Sequence, residues 1–486
     1  MFTFTLTLDP ALRIPMYEQL YTAIAGAIRG GALLHGEKLP SKRALCDQLG
    51  VSRATVETAY ELLTAEGYVE SRPRSGFYVS DYQLLPAREG QPAEIAAGSS
   101  PVCSVTQNSP ANAGLTDRGV PSPQQPAESP FSTSAVDVSA FPYTSWAKLY
   151  KEVVYNSPEL LQRGEPRGEP ALRQALSRLL SAYRGVRCTP EQIVVGAGIE
   201  TLLEQLITLF GPDTVYGVED PGYPAIRRSL ESRGRSIRFV PLDGAGMDVE
   251  ALAASGASVA YLTPSHQFPL GVTMPATRRS RLLRWAAEGE RWIIEDDYDS
   301  EFRYGVRPIP SMQGMDRADR VIYVGTFSRS LAPAIRLAYM VLPPALLARW
   351  QRTFGRQQPT VSRYEQTVMA RFLEEGYYGR YIRRVGNLYA HRRQTLLREL
   401  EKAPGLGVSG ADGGIHFLLT CSKRTESELV SRAAAAGIGL RGLSEFCRDA
   451  LPMPSTLVLG FGGLPTEQIP ALIRALAQAW EIAPET

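Results

Sequence analysis

Residues 320–343 read RVIYVGTFSRSLAPAIRLAYMVLP, and the stretch begins with an apolar, β-branched run that is typical of a buried strand. Similar short runs recur along the chain and alternate with helical patterns. They are QIVVGAG at 192–198, TVYGVED at 214–220, SVAYLTP at 258–264 and RWIIEDD at 291–297. Strands that alternate with helices predict a mainly parallel sheet covered on both faces, so we expect an α/β domain over residues 136–486.

The composition limits the class of protein. The chain has 486 residues, is 44% hydrophobic and carries a net charge of +2, so a surface that binds nucleic acid must be local. Its five cysteines are scattered without metal-ligand spacing, and we expect free thiols and no metal site. The sequence shows no signal-peptide pattern and no apolar run of membrane length, which predicts a cytoplasmic protein without a membrane partner.

A compositional break separates two parts of the chain. Residues 81–135 are rich in Pro, Ser, Ala, Gln and Gly, as in the run PSPQQPAESP. Such a segment buries too little apolar area to offset its chain entropy. We therefore predict a flexible linker at 81–135 between an N-terminal domain at 10–80 and the α/β domain.

The N-terminal domain has the pattern of a winged helix-turn-helix. Leu20, Ile24 and Ile28 recur at helical spacing, and the run LPSKRALCDQLGVSRATVETAYELL at 39–63 predicts two short helices separated by a turn at Gly50. Ser41 and Ser52 are candidate N-caps of those helices. The run YVESRPRSGFYV at 68–79 then alternates like a hairpin, with its tip at 74–76.

Several residues of this domain are candidate DNA contacts. The second helix of such a motif enters the major groove by its N-terminal end, where Ser52, Arg53 and Thr55 lie. The basic residues expected beside the phosphates are Lys42, Arg43, Arg72 and Arg74. By pattern alone, a small helical module with solvated charges is the alternative. The segment closely resembles the GntR family of bacterial regulators, which implies that Arg43, Ser52, Arg53, Thr55 and Gly76 touch DNA.

The α/β domain carries polar groups where its predicted strands end. Backbone N–H groups at Gly198, Ile199 and Glu200 open a helix after a strand and form a candidate anion site. Asp296 ends the strand RWIIEDD, at the edge where ligands of open α/β sheets bind. A carboxylate there can pair with a protonated pyridine nitrogen.

Further candidates surround this edge. Tyr223 follows a strand and either stacks on a flat ligand or is a buried structural tyrosine. Thr326 and Ser328 offer hydroxyl groups, and Arg336 offers a planar fork suited to phosphate.

The domain resembles a fold-type I aminotransferase, through RGEPRGEPALRQALSRLLSAYRGVRCTPEQIVVGAG at 163–198, LTPSHQFPLGVTMP at 262–275 and LVLGFGGL at 457–464. Joined to the GntR-like segment, the chain resembles the MocR-type regulators, which sense small molecules and form head-to-tail homodimers. The resemblance implies a pyridoxal phosphate site in which Tyr223 stacks on the ring, Asp296 faces the pyridine nitrogen and Tyr298 lies near the phenolic oxygen. It assigns the phosphate to the turn at 198–200 with Thr326, Ser328 and Arg336, and it places His266 and Gln267 near an asparagine of related enzymes.

One position departs from the family. The family's loop reads G-T-F-S-K, and here Arg329 stands where the lysine forms a Schiff base with the cofactor. A guanidinium stays protonated and cannot attack an aldehyde, and no lysine occurs between Lys151 and Lys402. Val458 stands where many aminotransferases have a carboxylate-binding arginine, for which Arg441 is a candidate substitute. The sequence thus predicts no catalytic residue and at most non-covalent binding of pyridoxal phosphate.

Three hypotheses remain open from the sequence. The favoured one is a homodimeric regulator that binds promoter half-sites in double-stranded DNA and senses pyridoxal phosphate or its adduct with an amino compound. In the second, the pocket serves another anionic small-molecule effector or is structural. The third is a pyridoxal phosphate-dependent aminotransferase with an attached DNA-binding domain, which the missing lysine disfavours.

Overall fold

The computed structural model describes two folded units of this chain. The described residues are 16–29, 32–65, 68–72 and 75–79 in the first unit, and 129–304, 310–448 and 455–482 in the second. Arg74 and residues 81–128 of the predicted linker lie outside these ranges. None of the helices in the described ranges is long and apolar enough to cross a membrane.

The first unit is a winged helix-turn-helix, as predicted. Its elements are α1 (Met16–Arg29), α2 (Lys42–Leu49), α3 (Arg53–Ala65), β1 (Val69–Arg72) and β2 (Gly76–Val79). The apolar positions of the helical pattern, Leu20, Ile24 and Ile28, are buried. They pack with Leu45, Val56 and Tyr60 into one core.

Local signals in the sequence fix the ends of these helices. Ser41 accepts a hydrogen bond from the Ala44 N–H at 3.1 Å and begins α2, which Gly50 ends with a left-handed φ of 66°. Ser52 accepts from the Thr55 N–H at 3.2 Å at the start of α3. Strands β1 and β2 pair antiparallel from Val69↔Val79 to Arg72↔Gly76, which gives the predicted hairpin.

The second unit has a large sheet covered by helices, followed by a smaller sheet. Its helices are α4 (Tyr143–Asn156), α5 (Pro170–Arg184), α6 (Ile199–Phe210), α7 (Pro224–Glu231), α8 (Val249–Ala254), α9 (Ala276–Glu288), α10 (Met312–Met315), α11 (Pro344–Phe354), α12 (Arg363–Glu374), α13 (Tyr377–Glu401), α14 (Glu426–Ala435) and α15 (Ile469–Ala479). Its strands are β3 (Ile193–Gly196), β4 (Val215–Asp220), β5 (Ser236–Asp243), β6 (Gly246–Met247), β7 (Val259–Leu262), β8 (Trp292–Asp297), β9 (Val321–Thr326), β10 (Ala338–Val341), β11 (Leu406–Ser409), β12 (His416–Cys421), β13 (Arg441–Gly442) and β14 (Thr456–Gly460).

The large sheet has eight strands in the order β3-β10-β9-β8-β7-β4-β5-β6. Strands β9, β8, β7, β4 and β5 are parallel to one another, whereas β10 pairs antiparallel with both β9 and β3, and β6 pairs antiparallel with β5. The smaller sheet is antiparallel in the order β11-β12-β14-β13. The predicted α/β class with a mainly parallel sheet is confirmed, and the parallel strands bring their carboxyl ends to one edge.

The larger unit includes residues that the composition assigned to the linker. Phe131 is buried, and its carbonyl accepts a hydrogen bond from the Gly460 N–H at 2.9 Å. A Cβ at Gly460 would lie 2.2 Å from the carbonyl oxygen of Ser132, so this glycine allows the close approach of the chain. Residues 129–135 therefore pack against the folded domain, seven residues before the boundary expected from composition.

Candidate functional sites

The first candidate site is the exposed end of α3. The Arg53 side chain is 80% exposed, and its Nε lies 3.1 Å from Oε1 of Glu57 one turn later. Lys42 of α2 reaches the same carboxylate at 3.5 Å, and Arg43 is exposed beside it. Because such exposed ion pairs contribute little free energy, these cations can exchange Glu57 for a phosphate or a base edge.

The start of α3 adds hydroxyl groups to this surface. The Ser52 and Thr55 hydroxyl oxygens lie 2.9 Å apart, and Ser52 is exposed. The two hydroxyl groups lie at the start of α3 beside Arg53, which shares the Glu57 carboxylate with Lys42 of α2. This surface has the residue types that contact phosphates and bases in helix-turn-helix proteins.

The hairpin forms the second part of this surface. The Arg72 guanidinium lies over the Tyr78 ring at 4.5 Å from its centroid, and its Nε donates to Glu70 at 2.7 Å. Gly76 has a φ of +113°, a conformation that favours glycine, and a Cβ there would lie 3.3 Å from Cε of Lys38. Lys38 was missed by the sequence reasoning, because it precedes the helix-turn-helix pattern and reaches the hairpin only through its backbone bridge to Tyr78.

The second candidate site is a cavity of about 170 Å³ in the larger unit. It lies where the predicted polar side chains meet, at the carboxyl ends of β8 and β9 and the start of α6. Its lining residues are Ser134, Ile199, Glu200, Tyr223, Phe268, Asp296, Tyr298, Thr326, Ser328, Arg329, Pro333 and Arg336. The structure thus brings together eight of the nine residues that the sequence named for the cofactor, and the ninth, Gly198, adjoins Arg336.

Asp296 lies on the wall of this cavity and is 2% exposed. One of its oxygens, Oδ2, accepts a hydrogen bond from the Tyr261 hydroxyl, whereas Oδ1 has no partner among the described residues. Burial raises the pKa of Asp296 to about 7, although the Tyr261 hydrogen bond acts in the opposite direction. A buried carboxylate oxygen without a donor favours a ligand that supplies one.

The other end of the cavity is polar and cationic. Arg336 has a left-handed φ of 49°, and its Nη2 lies 3.4 Å from Oε2 of Glu200 and 3.4 Å from the carbonyl oxygen of Ala197. A Cβ at Gly198 would lie 2.3 Å from that same nitrogen, so glycine leaves the room that Arg336 occupies. The Ser328 N–H donates to Thr326 Oγ1 at 3.1 Å, a contact within the turn that follows β9.

Arg329 also lines the cavity and is half-buried. Its Nη1 donates to the carbonyl oxygen of Thr133 at 2.6 Å, its one hydrogen bond to the described part of the chain. The sequence contains six lysines, all of them in described ranges, and none lines the cavity. The four lysines of the larger unit, Lys148, Lys151, Lys402 and Lys423, are exposed.

The aromatic walls differ in part from the expectation. Tyr223 and Tyr298 line the cavity, and both contact Phe268 edge-on, with ring centroids 5.7 and 6.1 Å from that of Phe268. Phe268 lines the cavity, whereas His266 and Gln267 do not. Gln267 Nε2 donates to the carbonyl oxygens of Phe268 and Pro221, at 2.6 and 3.0 Å, which turns this side chain into the protein.

Behind Tyr298 lies a buried polar cluster. The Tyr298 hydroxyl donates to the His266 carbonyl at 3.0 Å, and His266 Nδ1 lies 2.9 Å from Oδ2 of Asp299. Although burial acts against it, Asp299 raises the pKa of His266, while burial holds the pKa of His416 well below its usual range. Both ring nitrogens of His266 bond within the protein, since its Nε2 lies 3.4 Å from the Gly410 carbonyl oxygen, and His416 Nε2 lies 3.1 Å from the Pro269 carbonyl oxygen.

Two further positions carried expectations about a substrate carboxylate. Val458 is buried in β14, and Arg441 does not line the cavity. The Arg441 Nε pairs with Glu445 at 2.9 Å, and its guanidinium lies over the Phe446 ring at 4.4 Å. Arg441 is therefore held by its own neighbours, outside the lining of the cavity.

Comparisons with known proteins agree with both units. Residues 16–79 match the family of bacterial regulatory proteins of the gntR type, and residues 132–476 match the aminotransferase class I and II family. The chain is 33% identical to the probable rhizopine catabolism regulatory protein MocR of Rhizobium meliloti, over 98% of this chain and 96% of that protein. It is 32% identical to the pyridoxine biosynthesis transcriptional regulator PdxR of Corynebacterium glutamicum, over 94% of each.

A solved structure matches the larger unit. It is the kynurenine aminotransferase of Pyrococcus horikoshii in complex with PMP, which is 26% identical and superposes with a TM-score of 0.64. The match covers 72% of this chain and 90% of that enzyme. The relatives that match over nearly the full length are therefore transcriptional regulators, and the enzyme matches the larger unit.

Proposed function

Because this chain belongs to the MocR-type regulators, which join a GntR domain to an aminotransferase class I and II domain, we propose that it is an effector-responsive transcriptional regulator. Its first unit binds promoter half-sites in double-stranded DNA. Its larger unit holds pyridoxal phosphate, or an adduct of this cofactor with an amino compound, without a covalent bond. The larger units associate as a head-to-tail homodimer, so that two recognition helices meet two half-sites.

The exposed face of α2 and α3 supports the DNA-binding part of the proposal. Arg53 is the cation best placed to reach a base edge, because it lies at the N-terminal end of the recognition helix and is 80% exposed. Lys42, Arg43 and Arg72 contact phosphates in this proposal, and such contacts orient the domain without reading the base sequence. GntR regulators bind DNA, and footprinting would identify the operator that this protein binds.

The observation that carries the sensor part is the unpartnered Oδ1 of buried Asp296. A protonated pyridine nitrogen would donate to this oxygen and would favour the ionised carboxylate. The phosphate would bind the first turn of α6, with Ser328 and Arg336, and the ring would lie among Tyr223, Phe268 and Tyr298. The residues present therefore fit the cofactor, except at the position where a lysine would bind it covalently.

Pyridoxal phosphate, when bound, acts as an electron sink for bonds to its amino-compound partner. The enzymatic use of that property needs an amine that forms the covalent link and moves protons, and Arg329 can do neither. The chain's own residues instead bind and orient. The likeness to an aminotransferase of Pyrococcus horikoshii keeps an aminotransferase activity as the alternative, and the following experiment separates the two.

The test uses the full-length protein mixed with pyridoxal phosphate. We expect reversible binding that dialysis removes, and no cofactor fixed to the protein after borohydride reduction. Arg329→Lys should gain a yellow, reducible adduct, because the groups that surround the cofactor are otherwise in place. A reducible adduct in the wild type would refute the non-covalent site, and a colourless Arg329→Lys variant that does not bind the cofactor would refute the cofactor assignment.

A further inference from the structure

Arg329 differs from the buried arginines of the same unit in its lack of a carboxylate partner. Among the described residues of this unit, four arginines are buried, and each has a carboxylate oxygen within 4 Å. The pairs are Arg173–Glu165, Arg184–Asp297, Arg279–Glu295 and Arg392–Asp137. Arg329 is half-buried in the cavity wall, and no carboxylate of the described residues pairs with it. A partly desolvated guanidinium of this kind favours an anion from outside the chain.

The contact with Thr133 holds Arg329 without neutralising it. The Thr133 carbonyl takes one of the five N–H donors of the guanidinium and leaves the others for a ligand. The segment that carries Thr133 is fixed on both sides, by the hydrogen bond from Gly460 to Phe131 and by the pair of Asp137 with Arg392 at 2.6 Å. The guanidinium is therefore oriented in advance, as planar, two-pronged recognition of an anion requires.

The anion at Arg329 is distinct from the phosphate of the ligand. Under the proposed function, on which this step rests, the phosphate lies with Ser328 and Arg336 and the ring nitrogen faces Asp296. The group left for Arg329 is then the substituent at ring position 4, which in pyridoxal phosphate is the aldehyde that would react with lysine. A neutral aldehyde oxygen can accept a hydrogen bond from the guanidinium but does not neutralise its charge, whereas a carboxylate at that position does both.

We propose that Arg329 binds a carboxylate, and that the ligand class of this cavity is a 5-phosphorylated pyridine whose substituent at position 4 carries a carboxylate group. Two sources share this chemistry. In one, the carboxylate is attached directly to the ring in place of the aldehyde. In the other, it belongs to an amino acid that is joined to the ring through a carbon–nitrogen single bond.

Isothermal titration of the full-length protein with two matched pairs of compounds tests the proposal. The first pair has a carboxylate or a hydroxymethyl group at position 4 of the same phosphorylated ring. The second pair contains the reduced adducts of pyridoxal phosphate with glycine and with methylamine. We expect the carboxylate member of at least one pair to bind about tenfold tighter or more, since a charge-assisted pair replaces a neutral contact. The pair that shows the preference identifies the source.

Three variants assign the preference to Arg329. In Arg329→Gln, the two members of each pair should bind with nearly equal affinity. In Arg329→Lys, the affinity ratio should be intermediate, since lysine keeps the charge but loses the planar fork. Arg336→Gln should weaken all four compounds and leave the ratio unchanged. The inference is overturned if neither pair shows a preference above about twofold in the wild type, or if Arg329→Gln keeps it. If none of the four compounds binds the wild type, the proposed function fails as well.

Discussion

Asp296→Asn should stabilise the ligand-free larger unit at pH 8, although Asp296 is proposed to bind the ligand. Burial raises the pKa of this carboxyl from the usual 3.8 to about 7. At about 1.4 kcal/mol per pKa unit, its ionisation above pH 7 opposes folding by on the order of 4 kcal/mol. Asparagine keeps an oxygen for the Tyr261 hydroxyl but leaves a buried amide unpaired, at a cost of about 1–3 kcal/mol. The net gain at pH 8 should be about 1–3 kcal/mol.

The stability difference between Asp296→Asn and the wild type should depend on pH in a direction set by the raised pKa of Asp296. Between pH 4 and pH 7 the native carboxyl stays protonated while the unfolded one ionises, so the wild type loses stability from this group as the pH rises. The advantage of Asp296→Asn should therefore grow from pH 4 to pH 7 and stay constant above it. All five tryptophans of the chain lie in the larger unit, so their fluorescence during urea unfolding reports the stability of this unit alone.

The neighbouring residue of β8 provides the matched control. Asp297 is equally buried, but Arg184, at 2.6 Å from Oδ2, holds its pKa at about 2 in spite of burial. Asp297→Asn should destabilise the unit by roughly 3–5 kcal/mol at pH 8, because it removes the carboxylate that neutralises the buried Arg184. If Asp296→Asn is no more stable than the wild type at pH 8, or if its advantage does not change with pH, Asp296 already has a partner and the argument for a missing ligand fails.

Other expected outcomes concern the DNA surface, the linker and the phosphate end. Arg53→Ala should weaken binding to a specific operator by about 1–3 kcal/mol in footprinting titrations, and an unchanged ratio of specific to non-specific affinity would contradict its role. Limited proteolysis should cut within 81–128 and release two folded pieces, and a resistant chain would count against two independent units. Gly198→Ala should displace Arg336 and weaken phosphate-ligand binding more than Gly211→Ala, which has a similar φ of +91° but nothing within 4 Å of the new Cβ. Equal affinities of these two variants for the phosphate ligand would show that Gly198 and Arg336 do not form its binding site.

The sequence predicted the first unit well because its signals are local. Serine caps, a turn glycine and apolar residues at helical spacing act over a few neighbouring positions, so Ser41, Gly50 and Ser52 could be assigned without knowledge of the fold. Lys38 was missed for the complementary reason. Its place beside the hairpin depends on a bridge between residues 40 positions apart, and no local pattern records it.

The sequence predicted the cavity residues that lie at strand ends or in family motifs. It did not predict the residues that reach the cavity only through tertiary contacts. Asp296 lies at the end of buried β8 and Ser328 follows buried β9, and their meeting at one sheet edge follows from the parallel topology. Ser134 lies in a stretch whose composition is typical of a linker, and it reaches the cavity because neighbouring residues pack against Gly460 and Gly462, more than 300 positions away. Phe268 was not predicted, because the family resemblance pointed to the preceding polar residues His266 and Gln267.

Two side chains in the cavity lack a complementary partner among the described residues, one an acceptor of hydrogen bonds and the other a cationic donor. Oδ1 of Asp296 lacks a donor, and the guanidinium of Arg329 lacks a carboxylate. A pocket that served only the fold would be more stable with apolar side chains at both positions, since an unpaired buried polar group costs about 1–3 kcal/mol. Local rules of stability are broken at functional sites more often than elsewhere. A ligand that donates at one end and carries negative charge at the other satisfies both groups at once, which favours a sensor over a structural remnant of an enzyme.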